Sequence, residues 1–197
     1  MSETGNTSIA LIELLNCGIT PIGCTYLSKI MDTNKVFSLK YLSLNYNHIG
    51  NEGLANLIHY MKDSKILKYL SLGNCMIDEN GVKLFAEYLN NTDVKLEELN
   101  LEGNPLKNTG VMELFTILYY NSSILEINLN NTMCGNDPDL ALLIARLMQT
   151  NTNLGAYYLN FNTFTEDGNN FFIIFILDIE IIMREALRTD SCKHIWR

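Results

Sequence analysis

Apolar residues recur along this chain in one spacing, apolar-x-x-apolar-x-apolar-x-x-(Asn/Cys/Thr)-x-apolar, which can be laid down six times. The copies run Ile9-Ile12-Leu14-Cys17-Ile19, Leu39-Leu42-Leu44-Asn47-Ile49 and Leu67-Leu70-Leu72-Cys75-Ile77. They continue as Leu96-Leu99-Leu101-Asn104-Leu106, Ile124-Ile127-Leu129-Thr132-Cys134 and Leu154-Tyr157-Leu159-Asn162-Phe164. Successive starts lie 30, 28, 29, 28 and 30 residues apart, and self-similarity at a period of this size marks a repeat architecture. Four residues beyond the last apolar position, five copies carry a glycine: Gly23, Gly53, Gly81, Gly110 and Gly168. Apolar residues then return at helical spacing, as at Phe85 and Leu89 or Leu114 and Leu118. Each unit therefore predicts a short strand, a turn and a helix. The fifth copy has Asp137-Pro138-Asp139 instead of the glycine, an N-cap and first-turn pair that opens a helix over Leu140 to Met148.

Alternate strand residues point to opposite faces, so Leu42 and Leu44 are expected inward and Tyr41 and Ser43 outward. One such unit cannot bury its apolar side alone, whereas stacked neighbours pair their strands and bury it. The Asn/Cys/Thr column falls where the chain turns inward after each strand. There a short polar side chain meets the need of buried backbone groups for partners, which makes Cys17 and Cys75 structural rather than redox-active. The motif resembles that of the leucine-rich repeat family, and its period with a full helix is similar to the ribonuclease-inhibitor-like class. That resemblance implies an α/β fold, a right-handed leucine-rich-repeat solenoid with parallel strands on a concave face and helices on a convex one.

Solenoids need capped ends. Residues 1–8 are read as an N-terminal cap, residues 9–177 as the six repeats, and residues 178–197 as a C-terminal cap or tail. The apolar run from Phe171 to Met183 contains Asp178 and Glu180, and is too short and too charged for the ~20 apolar residues of a membrane span. It is expected to form the sixth repeat's helix and a hydrophobic cap.

The balance of 14 Lys+Arg against 22 Asp+Glu gives a net charge of −8, which disfavours nucleic acid and anionic membranes and favours a basic partner. The N-terminus lacks a basic stretch leading into an apolar one, so no signal peptide is read there and a reducing, cytoplasmic setting is expected. Five cysteines without close pairs argue against a disulfide framework or a cysteine zinc site. The histidines His48, His59 and His194 have no metal-ligand spacing, and phosphate-cradling and nucleophile-elbow motifs are missing from the sequence. Asp78, Glu79 and Asn80 lack the continuation of a calcium loop. Glu97 and Glu98, adjacent on a strand, splay apart rather than form an acid/base pair. No catalysis, cofactor or metal is expected.

What remains is the surface that the strands present. Tyr41, Tyr69 and Tyr158 supply exposed aromatic area of the sort found at interaction hot spots. Glu97, Glu98, Glu102 and Glu126 make an acidic band that would draw a basic partner, with Asn100 and Asn128 between them. Tyr46, Asn74, Gly103, Asn131 and Phe161 extend this patch along the lower rim. Six strands at ~4.8 Å and five residues at ~3.3 Å give a footprint on the order of 400 Å², half of a standard interface side, so adjoining loops must contribute. The expected function is a protein-interaction module. The repeat class also implies alternatives: a regulator of a small GTPase, as the Ran GTPase-activating proteins share these repeats, or an actin-capping module similar to tropomodulin. The sensor region of nucleotide-binding immune receptors shares them too. Against the first, the chain has no arginine before Arg146, whereas a trans-acting finger calls for one.

Overall fold

The computed structural model describes residues 9–33, 39–62, 66–91 and 94–163. The expectations for residues 1–8, for Phe164, Gly168 and the Phe171 to Met183 helix, and for the 178–197 cap or tail lie outside the described residues. Strands and helices alternate: β1 (Leu11–Glu13), α1 (Pro21–Thr33), β2 (Tyr41–Ser43), α2 (Gly50–Met61), β3 (Tyr69–Ser71), α3 (Glu79–Leu89), β4 (Glu98–Asn100), α4 (Lys107–Leu118), β5 (Glu126–Asn128), α5 (Pro138–Thr150) and β6 (Ala156–Tyr158). The strands form one parallel sheet in chain order, β1 to β6. Its register matches the repeat column by column: Ile12, Leu42, Leu70, Leu99, Ile127 and Tyr157 lie side by side.

The core sits between the sheet and the helices. Leu42, Leu70, Leu99 and Ile127 are buried, as are Leu44, Leu72, Leu101 and Leu129 in the next inward column. Phe85, Phe115, Leu54, Leu57, Leu114 and Leu140 come down on them from the helices. Each such side chain contributes on the order of 1.5–3 kcal/mol by leaving water. Burial weakens at both ends, where Ile12, Leu14, Tyr157 and Leu159 are only partly covered.

The glycines of the motif lie inside the helices, or their first turns, rather than ahead of them, because neighbouring helices touch there. A Cβ on Gly81 would collide with the Asn51 carboxamide oxygen and stand 2.7 Å from Ile77 Cγ2. One on Gly53 would stand 2.6 Å from Ile49 Cγ2.

The inward-turning column behaves as its chemistry requires, and it alternates. Asn104 Oδ1 accepts from the backbone N–H groups of Cys75 and Ile77, and its Nδ2 donates to the carbonyls of Leu72 and Leu101. Asn47 makes the same set with Cys17, Ile19, Leu14 and Leu44. Asn162 does so with Thr132, Cys134, Leu129 and Leu159. Asparagine thus stands in the second, fourth and sixth copies and ties each to the copy before it. Cys75 and Cys134 are buried, but Cys17, at the end of the column, is exposed.

One residue before that column, the backbone is left-handed in every copy: φ is 50° at Asn16, 60° at Tyr46, 54° at Asn74, 69° at Gly103, 53° at Asn131 and 60° at Phe161. These residues carry the ladder one step past the strand. Their N–H groups donate to the carbonyls of Asn45, Gly73, Glu102, Asn130 and Asn160 in the following copy. Asparagine and glycine visit this conformation readily, whereas other residues pay roughly 1–2 kcal/mol for it. Met76 and Met133, two residues further on, also have positive φ, 61° and 62°.

Candidate functional site: the open strand face

Three columns of outward side chains cover the sheet face opposite the helices. The first is Leu11, Tyr41, Tyr69, Glu98, Glu126 and Ala156, and the second Glu13, Ser43, Ser71, Asn100, Asn128 and Tyr158. The third, just beyond the strands, is Leu15, Asn45, Gly73, Glu102, Asn130 and Asn160. Much of this face is bonded within itself. Asn100 Nδ2 donates to Ser71 Oγ at 3.0 Å, and Ser71 Oγ donates to Asn45 Oδ1 at 2.7 Å. Asn128 Nδ2 donates to Glu102 Oε2, and Asn100 Oδ1 accepts from the Glu102 N–H. Ser43 and Ser71, outward by strand alternation, do face outward but are buried beneath larger neighbours.

Tyr41 and Tyr69 are stacked, with centroids 3.9 Å apart and planes within 3°. They are half-buried rather than exposed, each shielding the other. Their hydrogen bond first, and burial second, push the Tyr41 phenol well above its ordinary range. Tyr158 is exposed. Glu97 leaves the acidic band, because its Oε1 pairs with Lys68 Nζ at 2.5 Å. Glu98 and Glu126 stand opposite one another in register and make no hydrogen bond or ion pair among the described residues. Burial, and then the charges of Glu126 and Glu97, hold the Glu98 carboxyl above the usual carboxylate range. A depression of about 160 Å³ opens here, lined by Tyr69, Glu98, Asn100, Glu126, Asn128 and Tyr158. Six of the nine residues singled out in the sequence therefore converge on one hollow, while Tyr41, Glu97 and Glu102 flank it in the partnerships just given.

Other expectations resolve into structure. Asp78 is the N-cap of α3: its side chain accepts from the Asn80 and Gly81 N–H groups and from Asn51 Nδ2. The Asn51 bond, followed by the backbone bonds, holds its carboxyl low. Among the described residues no three His, Cys, Asp or Glu side chains gather as a metal set, and no helix is long and apolar enough to cross a membrane. Met76 and Met133, exposed by 60% and 63%, were passed over because their position faces neither core nor sheet. The signal was an apolar residue where the first copy has Gly18.

Parallel strands in repeat register, helices on one side and an asparagine-bonded inward turn together define a leucine-rich-repeat fold. The family model described as Leucine Rich repeat matches residues 37–57 and 93–115. Among curated relatives, NACHT, LRR and PYD domains-containing protein 14 of Mus musculus is 26% identical over 178 residues, covering 76% of this chain and 18% of that protein. Leiomodin-3 of Homo sapiens is 31% identical over 116 residues, covering 56% of this chain and 20% of that protein. The chain spans no more than about a fifth of these relatives' length. Of solved structures, leiomodin-1 actin-binding site 2 superposes with a TM-score of 0.57 at 19% identity, covering 84% of this chain and 92% of that one. The tropomodulin C-terminal domain of Caenorhabditis elegans gives 0.56 at 19% identity, covering 85% and 98%.

Proposed function

We propose that this chain is a non-catalytic protein-interaction module of the ribonuclease-inhibitor-like class, which takes a basic partner on the open strand face and its adjoining loops. The supporting observation is the hollow between Tyr69 and Tyr158, where Glu98 and Glu126 stand side by side with no ion pair among the described residues. A lysine or arginine entering there relieves the repulsion between the carboxylates and meets aromatic rings beside it. The test compares wild type with a Glu98→Lys, Glu102→Lys, Glu126→Lys variant in pull-downs from native lysate at low and moderate salt. Loss of a partner on charge reversal, with weakening by salt in the wild type, supports the open face. A partner that survives both removes it.

The likeness to leiomodin-1 actin-binding site 2 and to the tropomodulin C-terminal domain favours a second reading, an actin-capping module similar to tropomodulin. Co-sedimentation with filamentous actin decides it: pelleting that saturates with actin supports this reading, and a chain left wholly in the supernatant ends it. The GTPase-regulator reading has less behind it, since no arginine precedes Arg146.

A further inference from the structure

The rim at the C-terminal ends of the strands carries apolar side chains that the fold does not use. Leu15 is 52% exposed, Tyr46 56%, Met76 60%, Met133 63% and Phe161 86%. Four of them, Tyr46, Met76, Met133 and Phe161, are also held at positive φ. In the column of Tyr46 and Phe161 the other copies have Asn16, Asn74, Gly103 and Asn131, and in the column of Met76 and Met133 the first copy has Gly18, residues that accept this backbone without strain, whereas His48, Pro105 and Thr163 there are not at positive φ. The rim therefore keeps bulky apolar groups in water on a backbone that disfavours them, and nothing in the core is gained. Beside it lies the acidic face: Glu102 immediately precedes Gly103, and Glu98 and Glu126 share the first outward column, two columns from Glu102.

We propose that this rim is the seat of an amphipathic helix from a partner protein, its apolar stripe on Tyr46, Met76, Met133 and Phe161 and its lysine and arginine stripe over the acidic face. The reading rests on the open-face function above and specifies its occupant. A helix is indicated because the N–H groups of the first rim column are already spent. The N–H groups of Asn16, Tyr46, Asn74, Gly103 and Asn131 all donate to carbonyls of the next copy, so an extended peptide finds no row of free groups to pair with. A helix satisfies its own backbone and binds through side chains alone. Charge complementarity to a chain of net −8 calls for the basic stripe. Five steps of ~4.8 Å from the first copy to the sixth give a rim of about 24 Å, the length of about 16 helical residues.

The experiment selects 16-residue peptides from a random display library on the immobilised 197-residue chain and measures the winners by fluorescence anisotropy. The expected winners have apolar residues at i, i+3 or i+4 and i+7 with lysine or arginine alongside. Their binding should fall at least tenfold on a Tyr46→Asn, Met76→Asn, Met133→Asn, Phe161→Asn variant, whose melting temperature should equal or exceed that of wild type. It should also fall on the charge-reversal variant. Winners without helical periodicity or basic residues, or binding to the rim variant within twofold of wild type, overturn the proposal. So does a rim variant that melts below wild type, since those side chains then serve the fold. Loss on charge reversal alone keeps the open-face function and discards the helix on the rim. Loss on the rim variant alone discards the basic partner, and with it both readings. A wild-type dimer that becomes monomeric in the rim variant by sedimentation velocity assigns the rim to a second copy instead.

Discussion

Asn104 joins two copies through a single carboxamide, and its removal is correspondingly expensive. Asn104→Ala strands the Cys75 and Ile77 N–H groups and the Leu72 and Leu101 carbonyls. At about 1–3 kcal/mol for each buried group left unmet, a loss of at least about 3 kcal/mol is expected in urea unfolding. That role was legible because the column repeats in register with the apolar positions. A second asparagine column was not. Asn121 Nδ2 donates to the Leu89 carbonyl at the end of α3, and Asn151 Nδ2 to the Leu118 carbonyl at the end of α4. Both lie in polar connections where the motif defines no position, and the chain's 25 asparagines hide them. Glu98 shows how a site residue leaves a trace in stability. Its carboxyl titrates higher folded than unfolded, so its contribution is fullest below the unfolded value and is lost as pH rises through the raised one. Glu98→Gln should therefore gain in melting temperature over wild type at pH 7 and not at pH 4. A gain equal at both pH values would mean that charge is not the cause.

At the scale of the element, helix starts are where local and neighbouring demands meet. Gly81→Ala improves helix propensity by about 1 kcal/mol, yet the added methyl meets the Asn51 carboxamide and Ile77, and Asn51 also holds Asp78. Steric conflict wins, and the variant should melt lower than wild type. Asp78→Ala removes the cap of α3 and should cost about 1 kcal/mol, measurable by the same denaturation. The equivalent cap at Asp137 was legible because Pro138 follows it. Asp78 was not, since no proline follows it and its partner Asn51 lies a full repeat away in sequence. The open face has the same limit. Period-two alternation assigns Ser43 and Ser71 to the outer face, but burial there depends on the side chains of adjacent rows, which lie a full repeat away in sequence. The pairing of Glu97 with Lys68 spans 29 residues and is hidden in the sequence for the same reason.

At the scale of the whole molecule, each copy among the described residues touches only its neighbours, so one core defect should spread. Leu70→Asp places a charge in a fully buried site and should abolish the folded circular dichroism spectrum, while Tyr69→Ala, one residue away on the open face, should keep it. Cys24 and Cys75 are buried and their thiols pushed up to about 11, with Cys134 also raised. A maleimide at neutral pH, located by mass spectrometry, should label Cys17 in the folded chain and these three only after unfolding. Repeat period, register and inward columns follow from the sequence because they are one-dimensional facts, whereas the hollow depends on rows meeting in space. The alternation of the inward asparagines bears on how such an array comes apart. With Asn47, Asn104 and Asn162 each bolted to the copy before it, the tandem array is a train of three two-car sets. Pulled from its ends, it should part at the couplings between sets, and each set that then unravels pays out the 57 residues from Leu67 to Ser123 or their like. A force trace should show those steps as extensions of about 190 Å of chain.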